Sequence, residues 1–164
     1  MRTREQGFSF IELILVILII GILIAMTIPG LKETAMRKQI KEALELADVA
    51  KKGVNGFYAA TGKMPANNEE ATIPPADKII SQFVTAVTVK DGAVTLTLGY
   101  NAGDSLKGKL VTVRPAIVPG YPTVPISWIC NEVPAPPKME LKGENKTDIQ
   151  MNYLPVECRS ESKK

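Results

Sequence analysis

Residues Phe8–Ile28 read FSFIELILVILIIGILIAMTI, and the architecture turns on this stretch. Its only charged residue is Glu12. At about 1.5 Å per residue such a run makes a helix of roughly 30 Å, the thickness of a bilayer's hydrocarbon core. A transmembrane helix is the first reading. A cleaved secretory signal has a shorter apolar region and a small-residue cleavage site behind it. Here the run is longer, no such site follows, and Pro29-Gly30 leads into more helical pattern.

Glu12 is the anomaly in this stretch. A carboxylate inside an apolar helix is costly and tends to have a partner. One reading is that it lies a turn from the aqueous interface and snorkels. The other depends on a cut between Gly7 and Phe8. A new α-amino group at Phe8 would then sit one turn from Glu12 in the same apolar belt. The two charges can pair within a chain, or between staggered chains, where the pair fixes the axial register of a helix bundle.

Outward from this segment the chain becomes ordinary. It has 164 residues, a net charge of +3 and 45% hydrophobic residues, enough for one compact domain. Histidine is absent, which excludes His-based triads, imidazole bases and the usual zinc clusters. No phosphate-binding Gly-rich loop is present, and Glu69, Glu70 and Asp77 lack metal-ligand spacing, so neither catalysis, nor a cofactor, nor a required metal is expected. Asn145-Lys146-Thr147 matches a glycosylation sequon, a short motif that is common by chance.

From Leu31 to Tyr58 the pattern turns amphipathic. Met36, Ile40, Ala43, Ala47, Ala50, Val54 and Phe57 recur at steps of four and three, widened by Leu44 and Tyr58. Glu33/Arg37 and Asp48/Lys52 have the spacing of favourable helical pairs. The helix is expected to stop near Thr61-Gly62. A Pro- and Asn-rich loop follows over 63–79. Two alternating runs, Val84–Val89 and Val94–Leu98, flank the hairpin signal Asp91-Gly92. A third strand is expected between Gly108 and Pro115, and ISWIC makes a short fourth. The fold class is α+β: a long helix packed on a four-stranded antiparallel sheet, with a loop-rich C-terminal third. Cys130 and Cys158 are the only cysteines; in an exported domain the pair reads as one disulfide closing the loop 130–158.

The N-terminal residues resemble the type IV pilin family, of the IVa class. The family pattern is a short basic leader ending in Gly, then Phe, then Glu four residues on, inside an apolar helix. Here it stands as Arg2, Arg4, Gly7, Phe8 and Glu12. Ser9 and Phe10 replace the more usual Thr and Leu. YAATGKMP resembles the family's helix exit, and SWIC and YLPVEC its C-terminal disulfide loop, so the resemblance covers both ends of the chain.

The resemblance implies a leader over 1–7, cleavage after Gly7 by a prepilin peptidase, and N-methylation of Phe8. It implies a long helix over 8–61 whose segment 8–28 spans the inner membrane and then forms the core of a helical homopolymer. Residues 62–164 are then the globular domain, periplasmic first and on the surface of an extracellular pilus later. The implied partners are other copies of the chain, the peptidase, and an inner-membrane assembly platform with its ATPases. The implied roles are adhesion, twitching motility and DNA uptake. The flanking charges run the other way: Arg2 and Arg4 precede the apolar run, while Lys32, Arg37, Lys38 and Lys41 follow it, a distribution that does not favour an outside C-terminus. Gly21 and Pro29 weaken the helix. They read either as a kink or, as the resemblance implies, as the bounds of a segment that unwinds in filaments.

Two other readings share the N-terminal motif. One is a minor or competence pilin that binds DNA through Lys107, Lys109, Arg114, Lys138, Lys142 and Lys146. The other is a type II secretion pseudopilin, which the disulfide loop disfavours. A third is an anchored domain that never polymerises.

Overall fold

The computed structural model describes residues 9–160, with backbone only over 27–29. The chain divides into two compact units, one ending at Thr34 and the other beginning at Ala35. One helix, α1 (Phe10–Thr61), contributes to both. It ends where the sequence has Gly62, which takes a positive φ of 70° and donates its N–H to the Tyr58 carbonyl at 2.8 Å. Only a residue without a Cβ enters that conformation cheaply.

In the second unit α1 buries Ile40, Ala43, Ala47, Ala50, Val54 and Tyr58. The expected stripe is therefore present, except that Tyr58 is its buried end while Met36 and Phe57 are half-buried. The stripe lies on an antiparallel sheet of β1 (Val84–Lys90), β2 (Ala93–Leu98), β3 (Leu110–Ile117) and β4 (Ser127–Cys130), in that spatial order. A two-residue strand, β5 (Glu140–Leu141), also pairs with β3. Asp91 and Gly92 both have positive φ, the requirement of a two-residue hairpin between β1 and β2.

Register explains the core. Val89, Val94, Val113 and Cys130 stand opposite one another across the four strands, as do Val87, Leu96 and Val111 across three. Side chains on one row share a face, so all of these turn toward the helix and join one cluster with its stripe. The opposite face carries Thr88, Thr95 and Thr112. Thr112 is nevertheless fully buried, because the C-terminal loop folds back over it. Its hydroxyl meets Thr95 Oγ1 at 3.0 Å and accepts the Lys146 N–H, while its own N–H donates to Thr147 Oγ1.

β3 continues past Pro115, where the sequence reading ends it. A proline fits in a strand where no neighbour needs its N–H. β2 has no partner for β3 beyond Val113, and β5 takes over that edge. There the Pro115 carbonyl still accepts the Lys142 N–H at 2.9 Å.

At Gly53 the loop after the helix packs directly against it. A Cβ at this position would collide with the Ala71 carbonyl oxygen and lie 2.5 Å from Ile73 Cγ2, whereas one at Gly56 would meet nothing within 4 Å. Helix propensity alone favours Ala over Gly by about 1 kcal/mol. Gly56→Ala is therefore expected to raise the melting temperature. Gly53→Ala is expected to lower stability by roughly 1–3 kcal/mol, because backbone must move to admit the methyl group. Thermal unfolding of the two variants side by side checks this; a Gly53→Ala protein as stable as Gly56→Ala would show that the loop yields freely.

Candidate functional site

Over 10–26 the first unit is almost wholly apolar and lies on the surface. From Phe10 to Met26 every residue is exposed, and the most apolar 18-residue window of α1 has a mean hydropathy of 3.0 with none of it buried. By length and composition this segment is able to cross a bilayer. Glu12 sits in the first turn of the helix, where its N–H donates to the Ser9 carbonyl at 2.9 Å. A carboxylate there meets the positive end of the helix dipole, a favourable placement. Gly7 and Phe8 lie outside the described residues, so the partner expected for Glu12 does too.

The helix passes through both Gly21 and Pro29. Pro29 has no N–H to give the Ala25 carbonyl, so one hydrogen bond of the ladder is missing. One turn later Thr34 Oγ1 donates back to the Gly30 carbonyl at 2.9 Å. Such a bond adds a second donor to a helical carbonyl and slightly loosens the turn.

In the second unit the structure joins Cys130 and Cys158 in a disulfide, with Cα atoms 4.8 Å apart. Both are buried in the helix-facing cluster. Asn131, next to Cys130, holds the loop's two ends. It has a positive φ of 55° and is buried; its Nδ2 donates to the Cys158 carbonyl at 3.3 Å. Its Oδ1 accepts from Asn145 Nδ2 at 3.1 Å, and its carbonyl accepts from Arg114 Nη2 at 3.0 Å. The sequon at Asn145 is thus part of this network: Asn145 Oδ1 also accepts the Thr147 N–H at 3.1 Å. No sequence signal marked Asn131, because its partners lie far along the chain.

Four of the six basic residues considered for nucleic acid have acidic partners. Lys107 pairs with Asp104 at 3.1 Å, Lys109 with Asp148 at 3.2 Å, Lys142 with Glu140 at 2.9 Å and Lys146 with Glu144 at 3.9 Å. On α1, Asp48 pairs with Lys51 at 2.9 Å rather than with Lys52. Among the described residues no three acidic or cysteine side chains converge as a metal site would require.

Residues 37–159 match the pilin family of bacterial filaments, and residues 2–28 match the prokaryotic N-terminal methylation motif. The chain is similar to a fimbrial protein of Neisseria meningitidis serogroup B (strain ATCC BAA-335 / MC58), 30% identical, with 99% of this chain and 98% of that protein covered. It is similar to a type IV major pilin protein PilE1 of Neisseria gonorrhoeae, 34% identical with 97% and 96% covered. It is also similar to the fimbrial protein EcpC of Eikenella corrodens, 28% identical with 98% and 94% covered. The long helix on its antiparallel sheet and the C-terminal disulfide are the features of that family's fold, and the chain belongs to the pilin family: it is a structural protein, not an enzyme.

Proposed function

We propose that this chain is the major structural subunit of a type IV pilus. The observation that carries the reading is the bare apolar half of α1, continuous in sequence with a folded, disulfide-closed unit. Side chains such as Ile11, Leu15, Leu18, Leu23 and Ile24 are more than half exposed. At about 25 cal/mol per Å² of apolar surface, that exposure is not sustainable in water. Lipid covers it in a monomer, and the same segments of other copies cover it in a polymer. The match to the methylation motif and the similarity to a major pilin support both states.

In this reading residues 1–7 are a leader that a prepilin peptidase removes after Gly7, and Phe8 becomes the methylated N-terminus. The precursor spans the inner membrane through 8–28 with residues 62–164 in the periplasm. An assembly platform and its ATPases then move it into a surface filament. Glu12 sets register against the amine of Phe8, and the stretch from Gly21 to Pro29 unwinds under packing or load. Adhesion, twitching motility and DNA uptake are the activities such a filament serves. The ion pairing of Lys107, Lys109, Lys142 and Lys146 weighs against the DNA-binding minor pilin, since each cation is already partly neutralised.

Quantitative mass spectrometry of filaments sheared from native cells tests the proposal. The expected result is that this chain dominates and begins at a methylated Phe8. Presence only in traces favours a minor subunit, and absence from filaments with residues 1–7 retained in the membrane overturns the reading.

A further inference from the structure

Midway along the free edge of β1, two backbone groups are closed by a single side chain. Because Lys90 faces Ala93 beside a two-residue turn, Val87 and Val89 direct their backbone polar groups away from β2. Asn68 stands there. Its Oδ1 accepts the Val89 N–H at 2.6 Å, and its Nδ2 donates to the Val87 carbonyl at 3.0 Å. One residue of a parallel neighbour would make both of these bonds, and two residues of an antiparallel neighbour would share them, so the carboxamide occupies the two groups that any added strand needs. The carboxamide is itself held in place: Nδ2 also donates to the Pro74 carbonyl at 3.0 Å, and the Asn68 carbonyl accepts the Ile73 N–H at 3.0 Å.

What lies under this plug is a strand suited to pairing. VTAVTVK has four β-branched valines and threonines among its first five residues, with a single charge at its end. An edge of that kind is a template for another copy. Two copies of β1 would meet about a two-fold axis at Thr88, with Val87 and Val89 exchanging the bonds that Asn68 now makes. We propose that Asn68 is an edge plug that keeps β1 from pairing antiparallel with β1 of a second copy. Copies of this chain then associate without extending their sheets. The inference does not depend on the pilus reading, and its test uses no filaments.

The test uses the full-length protein in detergent micelles, as wild type, Asn68→Ala and Asn68→Ala/Thr88→Lys. Sedimentation gives the oligomeric state over a concentration series, and hydrogen exchange gives the protection of the Val89 amide. In the wild type that amide is expected to be protected without concentration-dependent association. In Asn68→Ala it should exchange at least tenfold faster when dilute, regain protection when concentrated, and do so as the protein dimerises. Thr88→Lys places like charges directly opposite at the centre of the pair. It should weaken dimerisation at least tenfold and leave the Val89 amide unprotected. A folded Asn68→Ala that stays monomeric overturns the proposal, as does a dimer that Thr88→Lys leaves unchanged. If Asn68→Ala does not fold, Asn68→Ser takes its place, since a hydroxyl reaches one of the two edge groups at most; its failure to self-associate overturns the proposal equally.

Discussion

Glu12→Ala is expected to remain in the membrane at wild-type level and to disappear from filaments, with sheared pilin falling at least tenfold. The two halves of this outcome have opposite physical causes. Insertion becomes easier, because a charge at a helix centre costs on the order of 2–3 kcal/mol and somewhat less near an end. Ala is also the best helix former, and Glu12 lies within the first turn of α1. Loss of filaments therefore cannot come from a failure to insert or to form the helix. On the register proposed above, it comes from burying the Phe8 amine of one copy among apolar side chains with no opposite charge, where an unpaired ion is strongly disfavoured. Glu12→Gln separates charge from shape: it should insert like Ala and assemble little better. Fractionated membranes and sheared filaments, quantified from the same culture, check both halves. Normal filament yield from Glu12→Ala would sink the register role of this residue.

How much of this was legible in the sequence depends on whether a feature is periodic or local. The helix stripe of Ile40, Ala43, Ala47, Ala50 and Val54 repeats every three to four residues, and each member is fully buried. The Asp91-Gly92 turn is local, and the register of β1 on β2 follows from it. Gly7, Phe8 and Glu12 were legible as an ordered motif, though the first two fall outside the described residues. Features that rest on one polar side chain meeting distant backbone left no pattern. Asn68 reaches Val89 across 21 positions, and the Leu110 N–H finds Asp148 Oδ1 across 38. The strand end at Pro115 was misread for a related reason. Whether a proline ends a strand depends on the neighbouring edge, which is a property of the sheet and not of the segment. The pairing of Asp48 with Lys51 instead of Lys52 is of the same kind. Lys51 lines a groove with Leu44 and Trp128, and its side chain is mostly covered while its ammonium meets Asp48.

Removing the disulfide as Cys130→Ala/Cys158→Ala is expected to cost about 3–4 kcal/mol, the chain-entropy value for a loop of this length. For a unit of this size that corresponds to a fall in melting temperature on the order of 10–15 °C. Trp128 is the chain's single tryptophan and lines a groove with Cys130 and Cys158, so its fluorescence reports the transition directly. Alanine is the appropriate replacement, because Cys158 is fully buried and a hydroxyl there would add an unsatisfied polar group. The physical question is which state the cross-link acts on. The folded loop has other ties: Asn131 Nδ2 to the Cys158 carbonyl, Thr112 N–H to Thr147 Oγ1, and Leu110 N–H to Asp148 Oδ1 at 2.6 Å. If the disulfide acts on the unfolded chain, these ties persist without it. Native-state hydrogen exchange then shows the Thr112 and Asn131 amides losing protection only as much as the core amides of Val94 and Val111. If it acts on the folded state, the segment from Asn131 to Glu157 opens locally, and Thr112 and Asn131 lose protection well before the core. The several polar ties favour the first outcome. A stability loss below about 1 kcal/mol would contradict the entropic account altogether. It would mean that residual structure already restrains this loop in the unfolded chain, so that the cross-link removes little freedom from it.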